Sequence, residues 1–396
     1  MISSSSANSI NPAAECGPRI LLFSGGSALH TLCRLLKAYT HNSIHLLTPF
    51  DSGGSSATLR RAFAMPAVGD LRQRLMALAN ESALGSSAIC QLCDYRLPYS
   101  GSDGRRRQEL ATMISGDHVL TQEIPHVHGG VIARLLNRVL NQLPNGFDLR
   151  GASVGNLILV GGYFDSDNDL LGAINLFSKL VDARGIVRPI VSDAAHLIAE
   201  LENGRVLSGQ HKLTGKEAPP IESPVRRVLL SRHAERYEPA GVVLDEGNGA
   251  LIDSAELICF APGSFYSSLI ANLLPEGVGR AIAANSGPKV FIPNLGIDPE
   301  QHGMSVEQSV SVLLRYLLHD AGNVDPVEVL NYVVIDTQHG IYPSRMNRAA
   351  LRDLGIELID LPLVTPNSSP YYDNVKLLEA LLSLTSRHYP SMLNEE

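Results

Sequence analysis

The chain has 396 residues, of which 44% are hydrophobic and 18% charged, enough apolar material to bury a sizeable core and to exclude wholesale disorder. Its 32 Lys and Arg against 40 Asp and Glu leave a net charge of -8, which argues against a general nucleic-acid or anionic-membrane surface. No run approaches 18 uninterrupted apolar residues, and five cysteines, an odd number without a secretory pattern ahead of them, point to a reducing cytoplasm with no disulfide framework.

Residues 1–16 are rich in Ser, Asn and Ala and are expected to form a flexible tail. Residues 19–23 (Arg-Ile-Leu-Leu-Phe) are a short apolar run bounded by Gly17-Pro18 and by Ser24, Gly25 and Gly26, the pattern of a fully buried strand. Leu29, Leu32, Cys33, Leu35 and Leu36 then recur at helical spacing through Tyr39, and residues 43–48 make the next strand. This β-α-β opening predicts a right-handed parallel crossover. Residues 57–143 carry mainly helical patterns, and a helical insertion is expected over about residues 73–150.

Helices over 157–164 and 171–183 lead to a strand at 187–191, and residues 204–212 with 226–230 read as a small β-ribbon or edge structure. Strands at 257–261, 289–292 and 332–335 complete the sheet, covered by helices at 267–274, 306–318 and 375–386. The fold class is α/β: a Rossmann-like, mostly parallel sheet flanked by helices, with a helical insertion and a β-ribbon, spanning residues 17–365. Residues 366–396 form a C-terminal extension ending in a helix.

Three strand-to-helix junctions carry the chemistry. Ser24, Gly25, Gly26 and Ser27 form the first, where open α/β sheets bind ligands and backbone N–H groups face an anion, or the segment is a plain tight turn. The second packs Ser52, Gly53, Gly54, Ser55, Ser56 and Arg60 behind Asp51; its hydroxyls suit phosphoryl oxygens, Arg60 suits their charge, and Asp51 suits Mg²⁺. Its bland alternative is a serine-rich helix cap. Asp70 and Arg72 follow Gly69, and Asp70 either caps the next helix or shares a divalent cation with Asp51. The third junction brings Gly263, Ser264, Tyr266, Ser267 and Ser268; Tyr266 either stacks on a base or packs beneath the loop.

Other patterns are weaker. Cys90 and Cys93 read as two half-buried thiols on a helix rather than zinc ligands, and His126 and His128 read as loop histidines. No catalytic-cysteine context points to covalent catalysis.

In order and spacing these motifs resemble the CofD/YvcK-like family: Ser24 to Ser27, Asp51 to Arg60, Pro66 to Arg72, Gly155-Asn156-Leu157 and Ala261 to Ser268. Residues 199–205, 272–277 and 289–294 are similar too, so the likeness covers residues 18–334. It implies a nucleotide-diphosphate site to which Asn156 also contributes, with Asp51 and Asp70 as the catalytic and metal carboxylates. One branch of the family transfers a phospholactyl-type group from a guanosine diphosphate-linked donor to a deazaflavin with Mg²⁺. The YvcK branch binds UDP-sugars. The resemblance therefore implies a nucleotide-diphosphate-linked small molecule, a second substrate if the protein is a transferase, and a homodimer. The chain departs from the family pattern at Ser27-Ala28, at Ala67-Val68 and at Ala261.

Overall fold

The computed structural model describes residues 12–83, 85–215, 218–344 and 346–385. Most of the expected N-terminal tail, and Ser386 with the chain beyond it, lie outside the described residues. In chain order the strands are β1 (Ile20–Ser24), β2 (Ile44–Leu47), β3 (Ile186–Pro189), β4 (His196–Leu201), β5 (Val206–Ser208), β6 (Val225–Ser231), β7 (Leu257–Phe260), β8 (Lys289–Phe291), β9 (Tyr332–Ile335) and β10 (Glu357–Asp360). Seven of them form one sheet in the order β10-β9-β8-β7-β1-β2-β3, and every neighbouring pair from β10 through to β2 is parallel. Register at the centre sets Leu21 of β1 opposite Ile44 on one side and Ile258 on the other.

Strand β1 is buried on both faces, with Ile20, Leu21, Leu22 and Phe23 all at 0% exposure, as its uninterrupted apolar run requires in a parallel sheet. Phe23 stacks on Phe260 of β7 at a centroid distance of 5.7 Å. Burying each such ring contributes about 1.5–3 kcal/mol, so the centre of the sheet is its firmest part. After β1 the chain adds β2 and β3 on one side and β7 to β10 on the other, which puts the reversal of strand order at the β1/β7 boundary. In open α/β sheets that boundary is where the carboxyl ends of the strands leave a ligand crevice.

The ribbon expected over 204–212 and 226–230 is a three-stranded antiparallel sheet, β5-β4-β6, with β4 at its centre. The expected strand at 187–191 is β3, and β10 is an additional edge strand. Helix Val306–Ala321 turns Val310, Leu313, Leu314 and Leu317 into the same hydrophobic core as the sheet, so its apolar stripe is occupied within the chain.

The chain divides into two compact units. The larger comprises Arg19–Leu32, Ile44–Arg74 and the residues from Val187 onward, and it contains both sheets. The other, within Met1–Pro18, Cys33–Ser43 and Leu75–Ile186, is helical. In it, helices His126–Gln142 and Val154–Asp165 touch backbone to backbone, since a Cβ at Gly161 would lie 2.1 Å from the carbonyl oxygen of Leu135. His126 and His128, expected in a loop, instead open the first of these helices behind Pro125. Cys90 is half-buried and Cys93 buried on helix Ser86–Asp94.

Candidate functional site

The first and second loops meet through the start of helix Gly69–Leu78. A Cβ placed on Gly26 would lie 2.5 Å from Asp70 Oδ1, and one on Gly25 would lie 3.6 Å from Asp70 Oδ2. On the preceding residue, a Cβ at Gly69 would lie 3.5 Å from Asp51 Oδ2. The two carboxylates therefore flank one short stretch of backbone, with the glycine turn against one and the serine loop around the other. Both acids are half-buried.

Side chains of the second loop fix this arrangement. Ser56 Oγ accepts the N–H groups of Val68 and Gly69, each at 3.2 Å, and so caps the helix that carries Asp70. Asp51 Oδ1 accepts the Gly53 N–H at 2.9 Å, closing an Asx turn ahead of helix Gly54–Phe63. The residue ahead of that helix, Gly53, has no side chain to cap it, and half-buried Ser52 and Ser55 and exposed Gly54 line the loop.

Arg60 has a different place from the one its spacing suggests. Its buried guanidinium donates to the carbonyls of Phe50 (3.0 Å), Asp51 (3.4 Å), Ala194 (3.3 Å) and Ala195. Burial lowers its pKa to about 10, and the charge of Asp51 works in the opposite direction. It is a backbone clamp that joins the end of β2 to the chain ahead of β4, so its donors are taken up by carbonyls rather than turned to phosphate.

At the third loop, Asn294 accepts the Gly263 N–H at 2.8 Å and donates to the Gly263 carbonyl at 2.7 Å. Asp298 accepts the Phe265 N–H at 3.0 Å, while Glu300 accepts those of Tyr266 and Ser267 at 2.8 Å and also the Ser267 hydroxyl. The anion position at the start of the helical turn Phe265–Ile270 is thus filled by the chain's own carboxylates. Tyr266 is core: it is 1% exposed, its ring is edge-on to Phe265 at 5.1 Å, and its hydroxyl faces the Val225 carbonyl at 3.4 Å, so the ring does not stack on a ligand. Gly263 and Ser264 remain half-exposed, and a Cβ at Gly263 would lie 3.2 Å from Ala28 Cβ beside the first loop. Ser268 Oγ backs Gly25 at 2.6 Å from the position of an added Cβ.

Residues that the motifs did not single out hold the loops in place. Arg74, fully buried, donates from Nη2 to Ser24 Oγ at 3.0 Å and to the Gly25 carbonyl at 2.7 Å. Asn272 donates to the carbonyls of Ser268 (2.8 Å) and Ser24 (3.3 Å), tying the first loop to the third. His211, beyond β5, sets Nδ1 2.8 Å from Ser52 Oγ. Asn272 and Asn294 sit in strings that resemble the family, which was their one sequence signal. Ser27 is exposed at the end of the first loop, and Arg72 is buried on the same helix as Asp70. Asn156 belongs to the helical unit, where its N–H donates to Ser153 Oγ at 3.3 Å and its buried Oδ1 meets no hydrogen-bond partner among the described residues.

Two of the cavities among the described residues lie in the larger unit. One of about 660 Å³ follows β9, lined by Thr337, Gly340, Tyr342, Ser344, Met346 and Arg348. The other, about 290 Å³, lies over the Ala194 and Ala195 carbonyls held by Arg60, with Asp193 and Arg232 in its wall. Among the described residues no group of three or more His, Cys, Asp or Glu side chains is placed to hold a metal, and no helix is long and apolar enough to cross a membrane.

Comparison with known proteins places the family and the fold. Residues 20–364 match the family model described as 2-phospho-L-lactate transferase CofD. The gluconeogenesis factor of Bacillus subtilis is 27% identical over 375 residues, covering 93% of this chain and 98% of that protein. The gluconeogenesis factor of Halalkalibacterium halodurans is 26% identical over 371 residues, covering 92% and 95%. Two crystal structures from Bacillus halodurans, one described as a member of the UPF0052 family, superpose with TM-scores of 0.66 and 0.67 at 22% identity, covering 92% of this chain and 99% of theirs, and share its fold. The chain belongs to the CofD family.

Proposed function

We propose that the chain binds the diphosphate of a nucleotide-linked ligand on its first two loops and transfers a phospho-linked group from it to an acceptor hydroxyl. The observation that carries this reading is the pair of carboxylates at the junction of those loops: Asp70 against Gly25 and Gly26, Asp51 against Gly69. Two carboxylates beside these glycines are the donors that would hold a divalent cation against phosphate oxygens. A site with two protein carboxylates suits Mg²⁺, which completes its octahedron with phosphate and water. Bound Mg²⁺ would supply neutralisation of the charge that develops on the diphosphate.

The chain's own part is positioning. The first turn of helix Gly54–Phe63 would offer N–H groups to an anion, Ser55 would add a hydroxyl, and the first loop lets its backbone approach phosphate closely. An acceptor hydroxyl held in line needs no covalent enzyme intermediate.

A second reading is supported by near full-length similarity to gluconeogenesis factors: a regulatory protein that senses a UDP-sugar in the same crevice. Incubating the protein with guanosine- and uridine-diphosphate-linked donors, Mg²⁺ and hydroxyl acceptors, followed by mass spectrometry, separates the two. Release of the nucleoside monophosphate with a modified acceptor supports transfer. Tight binding with no consumption of donor supports sensing.

A further inference from the structure

The chain between β3 and the start of β4 is tied to the second loop at three points. Ile190, just past β3, donates its N–H to the carbonyl of Leu47 at the end of β2 at 2.8 Å. Arg60 joins the Asp51 carbonyl to those of Ala194 and Ala195 through one guanidinium. Leu197, in β4, accepts the N–H of Gly209 at 2.8 Å, and a Cβ on Gly209 would lie 2.8 Å from Ser52 Oγ. Residues 190–197 are therefore fixed beside the Asp51–Ser52 backbone.

The cavity of about 290 Å³ opens on this stretch. Small-ligand pockets begin at about 300 Å³, so it has room for one ring system rather than for a whole nucleotide. Alanine, glycine and valine make most of its wall, and Asp193 and Arg232 make the rest. These two side chains are opposite in charge and line one cavity, yet neither has an ion-pair or hydrogen-bond partner among the described residues. A carboxylate only accepts and a guanidinium only donates, so a group that satisfies both presents an N–H beside a C=O on one edge. Guanine (N1–H beside C6=O) and uracil (N3–H beside C4=O) carry that edge. Adenine and cytosine carry a bare ring nitrogen beside an amino group, which sets acceptor against carboxylate and donor against guanidinium.

We propose that this cavity is the base subsite of the nucleotide ligand, Asp193 accepting the ring N–H and Arg232 donating to the adjacent carbonyl of guanine or uracil; the inference rests on the diphosphate reading above. The diphosphate then lies on the loops, and the base reaches past the Arg60 clamp to the end of β3. The subsite selects an oxo base over an amino base and takes no part in bond making.

The test compares bases on one diphosphate. Calorimetry with Mg²⁺ sets UDP against CDP, GDP against ADP, and includes inorganic pyrophosphate as the ligand without a base. Wild type is expected to bind UDP over CDP, or GDP over ADP, by about tenfold or more, the scale of one hydrogen bond to a charged group. The pair that shows the preference tells uracil from guanine. Asp193→Ala and Arg232→Ala are each expected to lose that preference and to keep the wild-type affinity for pyrophosphate. Both side chains are exposed, so the thermal midpoint is expected to stay that of the wild type. Wild type binding CDP and ADP as tightly as UDP and GDP, or either variant keeping the preference or losing pyrophosphate in step with the nucleotides, overturns the base subsite while leaving the diphosphate reading intact. Wild type that binds neither the nucleotides nor pyrophosphate overturns both.

Discussion

Glu300 accepts the backbone N–H groups of both Tyr266 and Ser267 at 2.8 Å, so a buried carboxylate occupies the helix start that a sequence reading offers to phosphate. The third loop is held rigid from behind, and its part in the site falls to the half-exposed Gly263 and Ser264 and to its contact with the first loop.

Glu300 is 0% exposed, and burial, with the charge of Asp298 adding to it, raises its pKa to about 7. The folded chain then keeps a proton that the unfolded chain releases near its ordinary value of 4.5. Its contribution is fully present below that value and is lost as pH rises through about 7. Chemical denaturation of wild type and Glu300→Gln across this range is expected to show a shallower decline in the variant, which still accepts both amides. Glu300→Ala leaves the amides unsatisfied and is expected to cost roughly 2–5 kcal/mol at any pH.

Arg74 spans the first loop from below through Ser24 Oγ and the Gly25 carbonyl. Arg74→Met removes the buried charge together with both donors, and a destabilisation of about 2–4 kcal/mol is expected from the acceptors left unpaired. UDP and GDP titrations at a temperature where the variant remains folded should show weakened binding, because the loop loses its support.

Gly26→Ala drives a methyl group into the Asp70 carboxylate, 2.5 Å from Oδ1 and 2.7 Å from Asp70 Cα. The second contact is backbone, so a rotamer change cannot relieve it. Mg²⁺-dependent nucleotide binding is expected to fall at least tenfold, on the scale of one displaced charged contact. Thermal unfolding reports the accompanying strain as a separate quantity, and retention of wild-type binding would count against the carboxylate's proximity to the ligand.

The central sheet was readable because β1, β2, β7, β8 and β9 are short apolar runs buried on both faces and stopped by turn residues. Strand β10, Glu-Leu-Ile-Asp, escaped because an edge strand with exposed ends carries no such run. Arginines were harder. Arg60 in a serine loop reads as a phosphate ligand, yet the ends of β2 and the segment before β4 expose carbonyls that only the folded chain brings to it. Ser52 and His211 are 159 residues apart, and Glu300 lies 34 residues beyond Tyr266, so no local spacing announces either contact.

The measurement that bears most directly on the account is a calorimetric titration of wild type and Asp51→Asn with GDP and UDP, with and without Mg²⁺. Wild type is expected to bind at least one nucleotide more tightly when Mg²⁺ is present. Asp51→Asn, with its fold unchanged by circular dichroism, is expected to lose that dependence. Wild-type binding that is absent, or that is indifferent to both Mg²⁺ and the Asp51 carboxylate, would contradict a metal-assisted diphosphate site on these loops.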